Sequence, residues 1–158
     1  MLNPDFKDML SAFVAEHVEF LVVGAYALAA HGAPRATASL DFWIRRDTTN
    51  ADRVLRALGT FGAPVTEISR RDLVTPDRIV EIGVEPTRID ILTSIDAVEY
   101  DDAWPNRLVA NVGGIDIPLI GRKELIRNKR AVGRPRDVAD IEALEAVRKR
   151  RRKKKKGE

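Results

Sequence analysis

The 158-residue chain has no cysteine and only two histidines, His17 and His31. Without thiols there is no disulfide framework and no thiolate metal site, and the cytoplasm is the expected compartment. Two imidazoles are too few for a histidine-rich centre, so a catalytic metal would have to be a hard cation held by carboxylates. No apolar run approaches the ~18 residues that a membrane span needs. The opening "MLNPDFKDML" begins with polar residues and an acid. It lacks the basic and then apolar plan of a signal peptide. No internal repeat or interdomain linker is evident. The length and the 44% hydrophobic content predict one domain with a proper core.

Charge is present but unevenly spread. The net charge of +3 arises from 27 basic and 24 acidic residues. The stretch Arg148–Lys156, "RKRRRKKKK", supplies nine of the basic ones. That leaves 18 basic and 23 acidic residues in 1–147, a net of −5. An acidic body, residues 1–147, therefore carries a basic tail, residues 148–158. Like charges repel and none of these side chains can join a core, so the tail is expected to be disordered and solvated. The alternative reading is an electrostatic arm for RNA or another nucleic acid.

Apolar periodicity sets the expected elements. Asn3 and Pro4 cap and start a helix that buries Phe6, Met9, Leu10, Phe13 and Val14. "EFLVVG" then reads as a strand covered on both sides, and Gly24 opens an alanine-rich helix that Gly32 ends. In the next strand Leu40, Phe42 and Ile44 alternate with Asp41 and Trp43. Asn50 is expected to cap a third helix, with Val54, Leu55, Leu58 and Phe61 inward. Residues 66–78 show no clear period. "RIVEIGV" and "RIDILTSI" read as two strands, 107–120 as a hairpin around "VGGID", and the remainder as two helices divided at Gly133. The order predicts an α/β fold of the α+β type, a central mixed sheet flanked by helices, with helices at the C-terminus.

Three features converge on one end of that sheet. Gly24 and Ala25 lie at a strand-to-helix junction, where small residues let a phosphate approach the first helical amides. Asp41 points away from the apolar face of its strand, beside that junction, and magnesium is held by one or two carboxylates plus substrate phosphates. Asp90 repeats the pattern in "RIDIL".

These residues resemble a known family. "VVGAYALAAHGAPRATASLDFWI", "RIDILTSI" and "LIRNKRAVGRPRDVADIEAL", spanning about Phe20 to Leu144, resemble small bacterial nucleotidyltransferase-fold proteins. These are minimal relatives of DNA polymerase β, including those of toxin–antitoxin loci. The resemblance implies transfer of a nucleoside monophosphate from an NTP, with Mg²⁺, onto an RNA 3′ end or a hydroxyl of a partner protein. It puts Gly24 and Ala25 at the triphosphate and makes Asp41 and Asp90 metal ligands. Asp90 would also deprotonate or orient the acceptor hydroxyl. Arg35 and Thr37 fall in the "R-x-T" loop; Arg35 would help neutralise the phosphates or be simply solvated, and Thr37 would serve the site or make a turn hydrogen bond. Lys129, Arg130 and Arg134 fall near the nucleotide cleft, or answer the helix dipole. Asp137 and Asp140 belong to the last helix, where a first-turn acid is structurally favoured. His31 reads as a helix-end group, and Trp43 and Trp104 as core or rim.

One position departs from the pattern. The family has "D-x-D" where this chain has Ser39-Leu40-Asp41. Residues two apart on a strand face the same way, so Ser39 still projects with Asp41. A neutral hydroxyl is a much poorer magnesium ligand than a carboxylate. Three readings follow: a slow transferase, a nucleotide- or RNA-binding pseudoenzyme, and an antitoxin-like partner acting by protein contact.

Overall fold

The computed structural model describes residues 2–157. The first helix, α1 (Pro4–Ala15), is capped by Asn3, whose side chain accepts from the Asp5 amide at 2.8 Å. It buries Phe6, Met9, Leu10 and Phe13, each worth about 1.5–3 kcal/mol when removed from water. Val14 was expected on that face but is 39% exposed. At ~100° per residue it sits about 90° from the centre of the stripe formed by the other four.

Six strands form one mixed sheet in the order β3-β4-β2-β1-β6-β5. They are β1 (Phe20–Val23), β2 (Ser39–Ile44), β3 (Ile79–Ile82), β4 (Arg88–Leu92), β5 (Leu108–Val112) and β6 (Ile115–Leu119). β2 runs antiparallel to β1 and parallel to β4. β6 runs parallel to β1, and β5 closes the edge as an antiparallel hairpin. All four residues of β1 are buried, as its unbroken apolar run predicts. Phe13, Phe20 and Phe42 meet with ring centroids 4.6–5.4 Å apart, tying α1 to the sheet.

Two expectations about helices change. The helix α3 (Thr48–Phe61) is capped by Asp47, which accepts from the Asn50 amide at 2.7 Å, and not by Asn50. Asn50 lies one turn inside and is buried. Its side chain accepts from the Glu19 amide and donates to the carbonyls of Glu19 and Arg45. An asparagine that tacks the entry of β1 to the exit of β2 has a stronger use than a cap. The polar stretch without a period contains a short helix, α4 (Arg70–Val74), built on a capping box between Ser69 and Asp72.

The chain ends as α6 (Arg122–Val132) and α7 (Pro135–Lys156), after the short helices α2 (Gly24–Ala30) and α5 (Tyr100–Ala103). The expected disordered tail is replaced by helix: α7 continues through the nine basic residues to Lys156. Lysine and arginine are good helix formers, and at a helix C-terminus their charge complements the dipole. No helix of the described residues is long and apolar enough to cross a membrane.

Candidate active site

The site lies where β1 ends and β2 and β4 begin, beside α2. Asp41 of β2 is in register with Val23 on one side and with Asp90 of β4 on the other. Register partners on adjacent strands, about 4.8 Å apart, point to the same face. The two acids, remote in sequence, therefore stand side by side. Farther along β2, Trp43 on the same face is buried under Tyr100, with ring centroids at 5.2 Å. Only the Ser39–Asp41 end of that face is left open.

Gly24 has φ +69, and a Cβ there would stand 2.3 Å from Asp41 Oδ2. Any side chain would thus be strained and would also strike the carboxylate. The glycine makes room for Asp41, which is a more specific reason than the approach of a phosphate. The helix it opens has only seven residues, so its dipole is small.

Ser39 Oγ donates to Asp41 Oδ1 at 2.8 Å. The hydroxyl projects beside the carboxylate and partners it without adding charge. Burial pushes the Asp41 carboxyl up to about 6; the Ser39 hydrogen bond opposes this, and the charge of Asp90 adds to it. Asp90 is gripped by Arg88, whose Nε and Nη2 donate to its two oxygens at 2.9 and 3.1 Å. The Nη1 of the same guanidinium reaches Glu85 at 3.1 Å. Arg88 was not singled out from the sequence, although the two-residue strand period in "RID" places it on the face of Asp90.

The opposite wall comes from α6 and α7. Lys129 is buried, and its Nζ donates to Asp140 at 2.7 Å and lies 3.6 Å from Asp137. Arg35 forks onto Asp140 at 2.9 and 3.2 Å. Arg134 grips Asp137 at 2.7 and 3.3 Å, and its backbone amide donates there too. Burial works against ionisation of both acids, but these cations outweigh it and hold both carboxyls below the usual carboxylate range. The five residues form a closed polar network pinning the loop before β2 to the C-terminal helices.

A cleft of about 560 Å³ unites these parts. Gly24, Ala25, Arg35, Thr37, Ser39, Asp41, Asp90 and Lys129, all singled out in the sequence, line it. Two of them, Lys129 and Arg35, have other parts than expected, while Thr37 takes the turn role that was one of its two. The ammonium of Lys129 is engaged by carboxylates and not turned toward a ligand. Arg35 is held by Asp140. Thr37 Oγ1 makes the local turn, donating to the Ser39 carbonyl at 3.0 Å and accepting from the Ser39 amide at 3.3 Å. Arg130 lies outside the cleft, in a groove on the far side of α6. His31 does end its helix, with Nε2 at 2.8 Å from the Ile120 carbonyl oxygen. Trp43 is core, and Trp104 is a half-buried rim residue with the Arg107 guanidinium 3.9 Å above its ring.

The donor set fits one divalent cation shared with substrate phosphates, since two adjacent carboxylates suffice for magnesium in that setting. It does not fit a pair of ions. Among the described residues no three His, Asp or Glu side chains gather as metal ligands, and Ser39, the side chain nearest Asp41 on its strand face, brings no charge. A scan against models of known protein families gives no match for this chain, and neither does a search of curated proteins.

Proposed function

We propose that the cleft binds a nucleoside triphosphate together with one Mg²⁺ and slowly transfers the nucleoside monophosphate to a hydroxyl of an RNA or protein acceptor. The observation that carries this reading is the in-register pair Asp41–Asp90 at the mouth of a cleft of nucleotide size, with Gly24 leaving space for the first carboxylate. In the reaction the acceptor oxygen attacks the α-phosphorus, its bond to the β-phosphate oxygen breaks, and pyrophosphate leaves. The hydroxyl proton passes to a carboxylate of the site. A divalent cation bound by Asp41 and Asp90 would offset the negative charge of the phosphates. Arg88 orients Asp90, and Arg78 and Arg136 on the cleft wall supply positive charge for the triphosphate tail. NTP and Mg²⁺ are cytosolic reagents, and a cysteine-free chain suits that compartment.

A second reading, nucleotide binding without transfer, is favoured by the hydrogen bond from Ser39 to Asp41 and the fork of Arg88 on Asp90. Both acids are already satisfied from within the protein. Ser39→Asp separates the two. A slow transferase should gain at least about tenfold in label transferred from an α-labelled NTP, because a metal ligand is restored. Persistent NTP binding with no gain in transfer would select the binding-only reading.

A further inference from the structure

The basic tail is not a free arm. Gly32, at the end of α2, faces Val147 and Arg151 of α7: a Cβ built there would lie 3.1 Å from Val147 Cγ1 and 3.2 Å from the Arg151 guanidinium. The first basic turn of α7 is thus docked on the body. Arg148, Arg151, Arg152 and Lys155 line a groove with His31 and Arg122, and no carboxylate lines it. Arg122 also lines the adjoining groove along α6, which carries Lys123, Arg127 and Arg130. The only acid there, Glu145, is paired with Arg122 at 3.2 Å. Among the described residues, none of these other seven basic side chains has an ion-pair partner.

We propose that α6 and the basic half of α7 form one surface that binds the phosphate backbone of a double-stranded nucleic acid. Three observations choose this partner. Residues 148–156 contain no apolar side chain, so the helix has nothing to insert beneath lipid headgroups. No Phe, Tyr or Trp lines either groove, and the one imidazole there, His31, is half-buried with Nε2 on the Ile120 carbonyl, so no row of rings is offered on which the bases of a single strand would stack. Six of the eight cations, Arg122, Arg127, Arg130, Arg148, Arg151 and Arg152, are arginines, whose planar fork suits phosphate. Apart from the four α6 cations of this surface, residues 1–147 carry 14 basic and 23 acidic side chains, a net of −9, which repels a polyanion and directs it to this side. Binding is to backbone, without base readout, and RNA and DNA duplexes are its two possible sources. The inference needs no nucleotide and no metal, and it stands or falls apart from the transferase reading.

The test exploits a rigid helix. At ~100° per residue, Arg148, Arg151 and Lys155 lie within about 60° of one another, while Arg150, Lys153 and Lys154 lie on the opposite side. The two triples carry equal charge. Anisotropy titrations of the full chain would use labelled RNA and DNA duplexes of about 16 base pairs, a single strand of equal length, and anionic vesicles, over a range of salt. R148Q/R151Q/K155Q should weaken duplex binding at least about tenfold and lower the salt slope by nearly 3, at ~0.9 per phosphate contact. R127Q/R130Q should also weaken it, and R150Q/K153Q/K154Q should cost far less. Equal losses from both triples, with no effect of R127Q/R130Q, would reduce the tail to a diffuse charge and overturn the surface. Tighter binding to the single strand or to vesicles would overturn the choice of partner.

Discussion

Two pairs of carboxylates flank one cleft, Asp41 and Asp90 on one wall and Asp137, with Asp140 behind it, on the other, and they live in opposite electrostatic conditions. Asp137 and Asp140 are surrounded by Lys129, Arg35 and Arg134, which keep their carboxyls below the usual range despite burial. Asp41 has a neutral serine and a second acid for neighbours, and burial pushes it up to about 6. The first pair is complete within the protein and holds the fold together. In the second pair the one cation, Arg88, is forked on Asp90, and Asp41 has no ion-pair partner among the described residues, a place a divalent cation would fill. A shared cleft therefore does not mean a shared role.

The largest effect should come from breaking the satisfied pair. Lys129→Met leaves Asp137 and Asp140 in the interior with less positive charge, and unfolding by urea should show a loss of about 3 kcal/mol or more. A loss below about 1 kcal/mol would mean that this network is no stronger than an exposed ion pair.

Asp41 should respond with the opposite sign. Between about pH 4 and pH 6 the folded chain keeps a proton on Asp41 that the unfolded chain has released. Stability from this group therefore falls as pH rises through that window. Asp41→Asn, which retains an acceptor for Ser39, should be more stable than the parent at pH 8 by at most about 3 kcal/mol. The gain should vanish near pH 3.5. Asp140→Asn should instead lose stability at neutral pH, with the deficit shrinking as acid protonates the parent below its lowered pKa. Denaturation of the three proteins at several pH values checks both signs together, and a common sign would abolish the contrast.

A smaller effect belongs to Gly24. Gly24→Ala should cost about 2 kcal/mol, from a backbone with φ +69 and from displacement of the Asp41 carboxylate. Adding Asp41→Ala should recover the steric part, seen as coupling in a double-mutant cycle. Strict additivity would show that the glycine serves the backbone alone.

Much of this was legible from residue order. Alternation in "SLDFWI" and "RIDIL" gave strands with their acids opposite the aliphatic face, and eight chosen residues do line one cleft. What periodicity cannot carry is pairing across the chain. Lys129 and Arg35 are 94 residues apart, yet both end on Asp140, so their cationic character in the sequence pointed to a ligand instead of to each other's partner. Arg88 was missed for a related reason. Its strand phase was visible, but only coordinates reveal that its fork covers both oxygens of Asp90. The tail was misjudged because repulsion among its charges was weighed without the docking of Arg151 beside Gly32.

The central claim is that Asp41 and Asp90 form a cation-dependent nucleotide site. Its most direct test is calorimetric titration of the chain with each NTP, with Mg²⁺ and with EDTA, repeated on the Asp41→Asn/Asp90→Asn double variant. Binding that needs Mg²⁺ and is lost in the variant is the predicted result. Equal binding with EDTA, or a variant that binds as the parent does, would contradict it.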